Sequence, residues 1–136
     1  MKTERRTTTT TTTQDVYVAD DGTTFTSYDS CCKYEGKLRA DTIINQLSHI
    51  PHTDVCLPYI YTDTPDFYKG MWFKAETPAD CQKINELMCL NVKIGEWFYV
   101  EFDEYGDAEL CGELKNCIEQ ITDDLKKFGY NVSILS

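Results

Sequence analysis

The chain has 136 residues and a formal net charge of −10, with hydrophobic residues at 41% and aromatics at 12%. Such a length supports one core of ordinary size and not two, and such a composition is that of a folded domain. An acid excess this large repels nucleic acid and anionic membranes, so neither is an expected ligand, and it attracts basic protein surfaces.

Residues 1–14 include seven consecutive threonines, Thr7 to Thr13, and no apolar periodicity; they read as a disordered tail ahead of a single α+β domain over 15–136. Val16-Tyr17-Val18, a turn at Asp20-Asp21-Gly22 and Thr23 to Thr26 form a β-hairpin pattern. Thr26 and Asp29 then resemble a capping box for a helix from Tyr28. Its inward residues are Tyr28, Cys32, Leu38, Ile43, Ile44 and Leu47, with Gly36 as the place for a break. Pro51, Pro58 and Pro65 punctuate an irregular stretch from His49 to Phe67, with room for a short strand around Tyr59 to Tyr61.

Residues 70–75 have strand composition, and Thr77-Pro78 with Asp80 is a strong helix start. Cys81, Ile84, Leu87 and Met88 follow at helical spacing, ending near Leu90. Residues 96–103 alternate as a strand, with Phe98, Val100 and Phe102 toward the core and Trp97, Tyr99 and Glu101 away from it. After a turn containing Gly106, one apolar stripe of Leu110, Leu114, Cys117, Ile118, Ile121, Leu125 and Phe128 predicts a helix over 109–128. Gly129 caps it, and Tyr130, Val132 and Ile134 suggest a last strand. The order of elements predicts a small, mainly antiparallel sheet with two to three helices on one face.

Catalytic chemistry finds little footing. Nucleophilic cysteine needs a base and an electropositive setting, whereas the chain offers two histidines in a strongly negative field. It has no GxSxG, P-loop or GxGxxG pattern. His49, His52 and Cys56 are zinc-type ligands, yet no CxxC pair accompanies them and Cys31-Cys32 are adjacent, so no metal or cofactor is expected. Seven cysteines without an apolar leader after Lys2, Arg5 and Arg6 suggest reduced thiols. The chain therefore reads as a non-enzymatic binding protein, without catalytic residues.

Two surfaces are candidates for that binding. Between Glu96 and Asp124, ten acids accompany one base, Lys115, so this segment carries −9 of the total charge. Glu101, Asp103, Glu104, Asp107, Glu109, Glu113, Glu119, Asp123 and Asp124 form the candidate acidic face. In the expected helix, Glu109 and Glu113 sit in the first turns, where the macrodipole stabilises acids. Glu119, Asp123 and Asp124 lie beyond that benefit, at a cost of ~0.2–0.5 kcal/mol per like-charged neighbour. The plainer account of such a run is a solubility face. The alternative surface is aromatic: Tyr59, Tyr61, Trp72, Trp97 and Tyr99, with Trp72 and Trp97 expected to be exposed and able to stack a nucleobase. For any single ring, core packing is the plainer account.

Val16 to Phe25 followed by Cys32-x-Tyr34-Glu35, and Trp72-Phe73 running into the Asp80-to-Leu87 helix with Asn85, resemble small uncharacterised proteins of bacteriophages and mobile elements of Gram-positive bacteria. The resemblance implies an anti-defence protein, of the anti-CRISPR type or of the Thoeris anti-defence type that sequesters a nucleotide signal. The expected partner is then a host defence effector with a basic surface; the alternative ligand is a nucleotide second messenger, and a small enzyme acting on such a signal is a further alternative. The expected location is the cytoplasm of an infected bacterium, and a homodimer is left open.

Overall fold

The computed structural model describes residues 1–7, 13–57 and 67–132. Tyr59, Tyr61 and the strand expected around them lie outside the described residues, as does Ile134; residues 130–132 carry no strand. The architecture is α+β, with three helices and two antiparallel sheets. β1 (Lys2–Thr7), β2 (Thr13–Val18) and β3 (Thr24–Phe25) make a three-stranded sheet, and β4 (His52–Thr53), β5 (Lys69–Lys74), β6 (Trp97–Phe102) and β7 (Ala108–Glu113) a four-stranded one. The helices are α1 (Tyr28–Gln46), α2 (Pro78–Met88) and α3 (Leu114–Lys127). Among the described residues no helix is long and apolar enough to cross a membrane.

Of residues 1–14, read as a disordered tail, residues 2–7 and 13–14 lie in strands, and residues 8–12 lie outside the described residues. Lys2–Thr7 pair antiparallel with Thr13–Val18, with Thr3 opposite Tyr17 and Glu4 opposite Val16. The β2–β3 hairpin falls where the turn residues placed it, with Gly22 at φ 93°.

The principal core lies on one face of the four-stranded sheet. Phe98, Val100 and Phe102 of β6, with Met71 and Phe73 of β5, meet Ala40, Ile43 and Leu47 of α1 and Ile84 and Met88 of α2. Phe73 and Phe98 are register partners with ring centroids 6.1 Å apart. α2 carries the capping box its sequence announces: Thr77 accepts from the Asp80 amide, and the Asp80 carboxylate accepts from the amides of Thr77 and Glu76.

α1 starts from Ser27 rather than Thr26 and runs unbroken through Gly36. The glycine is there for clearance, since a Cβ would collide with the Tyr105 backbone. The side chains facing inward are Cys31, Ala40, Ile43 and Leu47, while Tyr28 and Leu38 are exposed.

α3 corrects two expectations. It begins at Leu114, because residues 108–113 form β7, an edge strand pairing with β6 through a bulge opposite Tyr99 and Val100. It also covers the opposite face of the sheet from α1 and α2, its own Cys117 packing over Trp72 and Tyr99. Two helices share one face and the third takes the other. The sheet is thus covered on both sides, which overturns the expected exposure of Trp72: it is 2% exposed.

Candidate binding surface

The nine acids of the candidate face divide into three environments. Asp103, Glu104 and Asp107 belong to the β6–β7 turn. Asp103 accepts from the amides of Tyr105 and Asp107, both at 2.9 Å, and so builds the turn itself. Glu104 pairs with Lys33 at 3.4 Å and Asp107 with Arg39 at 3.8 Å, both bases belonging to α1. The Arg39 guanidinium also donates to the Tyr105 carbonyl, and the Tyr105 hydroxyl donates to Asp29. The Tyr105 hydroxyl first, and Lys33 at 3.1 Å next, hold the Asp29 carboxyl below its ordinary range. This part of the acid run is fastened to α1.

Glu101 is the second environment, and it is not on the surface. It is 4% exposed, on the strand face beneath α3 and directly opposite Glu109. One carboxylate oxygen accepts from the Cys111 thiol at 3.1 Å, and the other is buried without a partner. Cys111 lies at the bulge, between residues 110 and 112 that pair with β6. Burial, and then the Glu101 carboxylate, push its thiol up to about 12. Burial and the Glu101 charge likewise push the Tyr99 hydroxyl up to about 12.

The third environment is open. Glu109, Glu119 and Asp123 are exposed, and none of them forms an ion pair among the described residues. Asp124 pairs with Lys127 at 3.4 Å. Glu113 is the half-buried N-cap of α3 and makes no side-chain capping bond, so neither it nor Glu109 has the first-turn helical place expected of it. Of the apolar stripe on α3, only Cys117 is buried; Ile118, Ile121 and Leu125 are half-buried and Phe128 is 79% exposed.

The aromatic candidates also separate. The Trp72 indole donates to the Val55 carbonyl at 2.9 Å, and its ring lies 5.1 Å from that of Tyr99, which is 7% exposed. Both rings are core. Trp97 is half-buried and lines a cleft of about 640 Å³ together with Leu114, Ile118, Glu96, Glu113 and Glu119. The half-exposed α3 residues were missed as site residues because a helix drawn from 109 buries the whole stripe; Glu96 was counted in the acid run but not in the candidate face. The Gly112-Glu113 pair ahead of Leu114 was the available sign of a later start.

His49 bonds to Asp80 at 3.2 Å and His52 to the Ile50 carbonyl at 2.8 Å, so their rings serve different partners. Among the described residues no three His, Cys, Asp or Glu side chains converge as metal ligands. All seven cysteines are free, and burial raises the thiols of Cys31 and Cys117 as it does that of Cys111. These three are held protonated at neutral pH.

The fold and surface define an acidic α+β domain with one open charged helix face. No protein-family model, curated protein or solved structure matches the chain.

Proposed function

We propose that this is a non-enzymatic binding protein that docks the α3 face onto a basic protein surface. In that reading it is a phage-type antagonist of bacterial immunity, covering the nucleic-acid-binding surface of a defence effector. The observation that carries the docking is the contrast within one acid run. The turn acids are consumed by α1, whereas Glu109, Glu119 and Asp123 stand exposed without ion pairs among the described residues, beside a half-exposed apolar stripe. Unpaired surface carboxylates keep their full field, which steers a basic partner and fixes its orientation. Half-buried isoleucines and leucines supply the apolar contact that steering lacks.

The nucleotide-sponge reading has a narrower basis. Trp72 and Tyr99 are committed to packing, and the cleft beside Trp97 is bordered by carboxylates that repel phosphate.

The test is capture from a Gram-positive bacterial lysate by wild type and by a Glu119→Gln/Asp123→Asn/Asp124→Asn variant. Glu119 and Asp123 are exposed charges, and losing the exposed Asp124–Lys127 pair costs little, so the fold stays intact. The expected result is a protein retained by wild type, released by added DNA or RNA, and absent from the variant's eluate. Identical eluates from the two would overturn the proposal.

A further inference from the structure

We propose that the cleft between the start of β6 and α3 receives an arginine side chain of the basic partner, its guanidinium lying on the Trp97 ring and pairing with Glu96. This rests on the docking reading above and names where on the α3 face the partner is selected.

Four observations converge on it. The cleft, about 640 Å³, is apolar where Trp97, Leu114 and Ile118 line it, and carries three carboxylates, Glu96, Glu113 and Glu119, against one base, Lys115. One carboxylate oxygen of Glu96 is shut off from water without a hydrogen-bond partner. That oxygen is closed to a partner as well, so a guanidinium in the cleft meets Glu96 through its other carboxylate oxygen. Trp97 faces Lys74 in register, so its ring has no aromatic partner across the strand of the kind that Tyr99 gives Trp72. Glu113 is not used in capping α3, and Gly95 at the cleft's edge leaves open space.

The chemistry selects the occupant. A guanidinium donates from its planar edge to a carboxylate oxygen while its weakly hydrated face stacks on an indole. An ammonium gains the charge and a cation–π contact but lacks the planar, weakly hydrated face that stacks. A phosphate meets three carboxylates. Lys115 forms no ion pair among the described residues, so it does not already fill the place.

The experiment uses fluorescent deca-arginine and deca-lysine peptides as probes, with anisotropy read at low and physiological salt. Wild type should bind deca-arginine more tightly, and Trp97→Leu or Glu96→Gln should weaken deca-arginine by roughly five-fold or more while barely changing deca-lysine. Trp97→Phe, which keeps a ring, should retain most of the preference, and near-ultraviolet circular dichroism verifies that each variant is folded. Emission from Trp97, isolated in a Trp72→Phe background, should change on adding deca-arginine.

If both peptides instead bind equally and respond only to Glu119→Gln/Asp123→Asn/Asp124→Asn, the docking face stands and the arginine cleft falls. If neither peptide binds, both readings fall. A response of Trp97 emission to ATP and not to deca-arginine would replace both with the nucleotide reading. Self-association abolished by Trp97→Leu would assign the cleft to a second copy and overturn the proposal.

Discussion

The two faces of the four-stranded sheet are built to different standards. Under α1 and α2, Phe73, Phe102 and Val100 are wholly buried in an apolar cluster, and α2 is capped reciprocally. Between α3 and the sheet the buried residues are Trp72, Tyr99 and the helix's own Cys117, the sheet's Glu101 carboxylate is buried with an unpartnered oxygen, and the helix has neither a side-chain cap nor a fully covered stripe. The first face holds the fold. The second retains polar groups and half-covered apolar surface, which cost stability unless a partner completes them.

The largest expected break in this comparison comes from truncating each face. Phe102→Ala should cost ~3–5 kcal/mol by leaving a cavity in a close-packed layer. Ile118→Ala, already half-exposed, should cost about 1 kcal/mol. Urea denaturation monitored by circular dichroism measures both; equal losses would mean that α3 packs as tightly as α1 and α2.

Next comes Gly36→Ala. In an open helix this change gains up to about 1 kcal/mol. Here the new methyl group meets the Tyr105 backbone, and overpacking should reverse the sign to a loss of ~1–3 kcal/mol. A stabilised variant would show that the β6–β7 turn is not seated on α1.

The smallest effect is at the cap of α2. Thr77→Ala should cost about 1 kcal/mol. Asp80 adds a pH dependence with a definite sign. Its carboxyl is held below the ordinary value of 3.8, first by the Glu76 amide and further by His49 and Thr77, against an opposing effect of burial. A depressed folded-state pKa gives stability that is present above 3.8 and lost as pH falls through the folded value. The difference in melting temperature between wild type and Asp80→Asn should therefore shrink as pH falls below about 3.8. A gap that widens on acidification would contradict the assignment.

Much of the fold was legible because local signals agreed with their surroundings. Thr77-Pro78 with Asp80 gave the start of α2, and the alternation of Phe98, Val100 and Phe102 gave the core face of β6. What failed was what tertiary contacts decide. Leu110 continues the helical stripe of Leu114 and Cys117, yet pairing with β6 draws residues 108–113 into a strand. Trp97 and Trp72 both alternate away from the main core, but only coverage by α3 distinguishes them, and coverage is not written in either residue. The acid run was legible as charge; that α1 neutralises its first part through Lys33 and Arg39, some seventy residues away in the chain, was not.

The central claim is that position on the α3 face, and not total charge, makes the surface work. Two double variants change the net charge by the same amount: Glu119→Gln/Asp123→Asn on α3 and Glu104→Gln/Asp107→Asn in the turn. Stopped-flow association of deca-arginine with each, over a range of salt, compares them directly. The α3 pair should slow association by roughly ten-fold at low salt and flatten its salt dependence, while the turn pair leaves the association rate within about two-fold of wild type. Equal slowing by both pairs would mean that the protein attracts bases only through its net charge, and that α3 is no special surface.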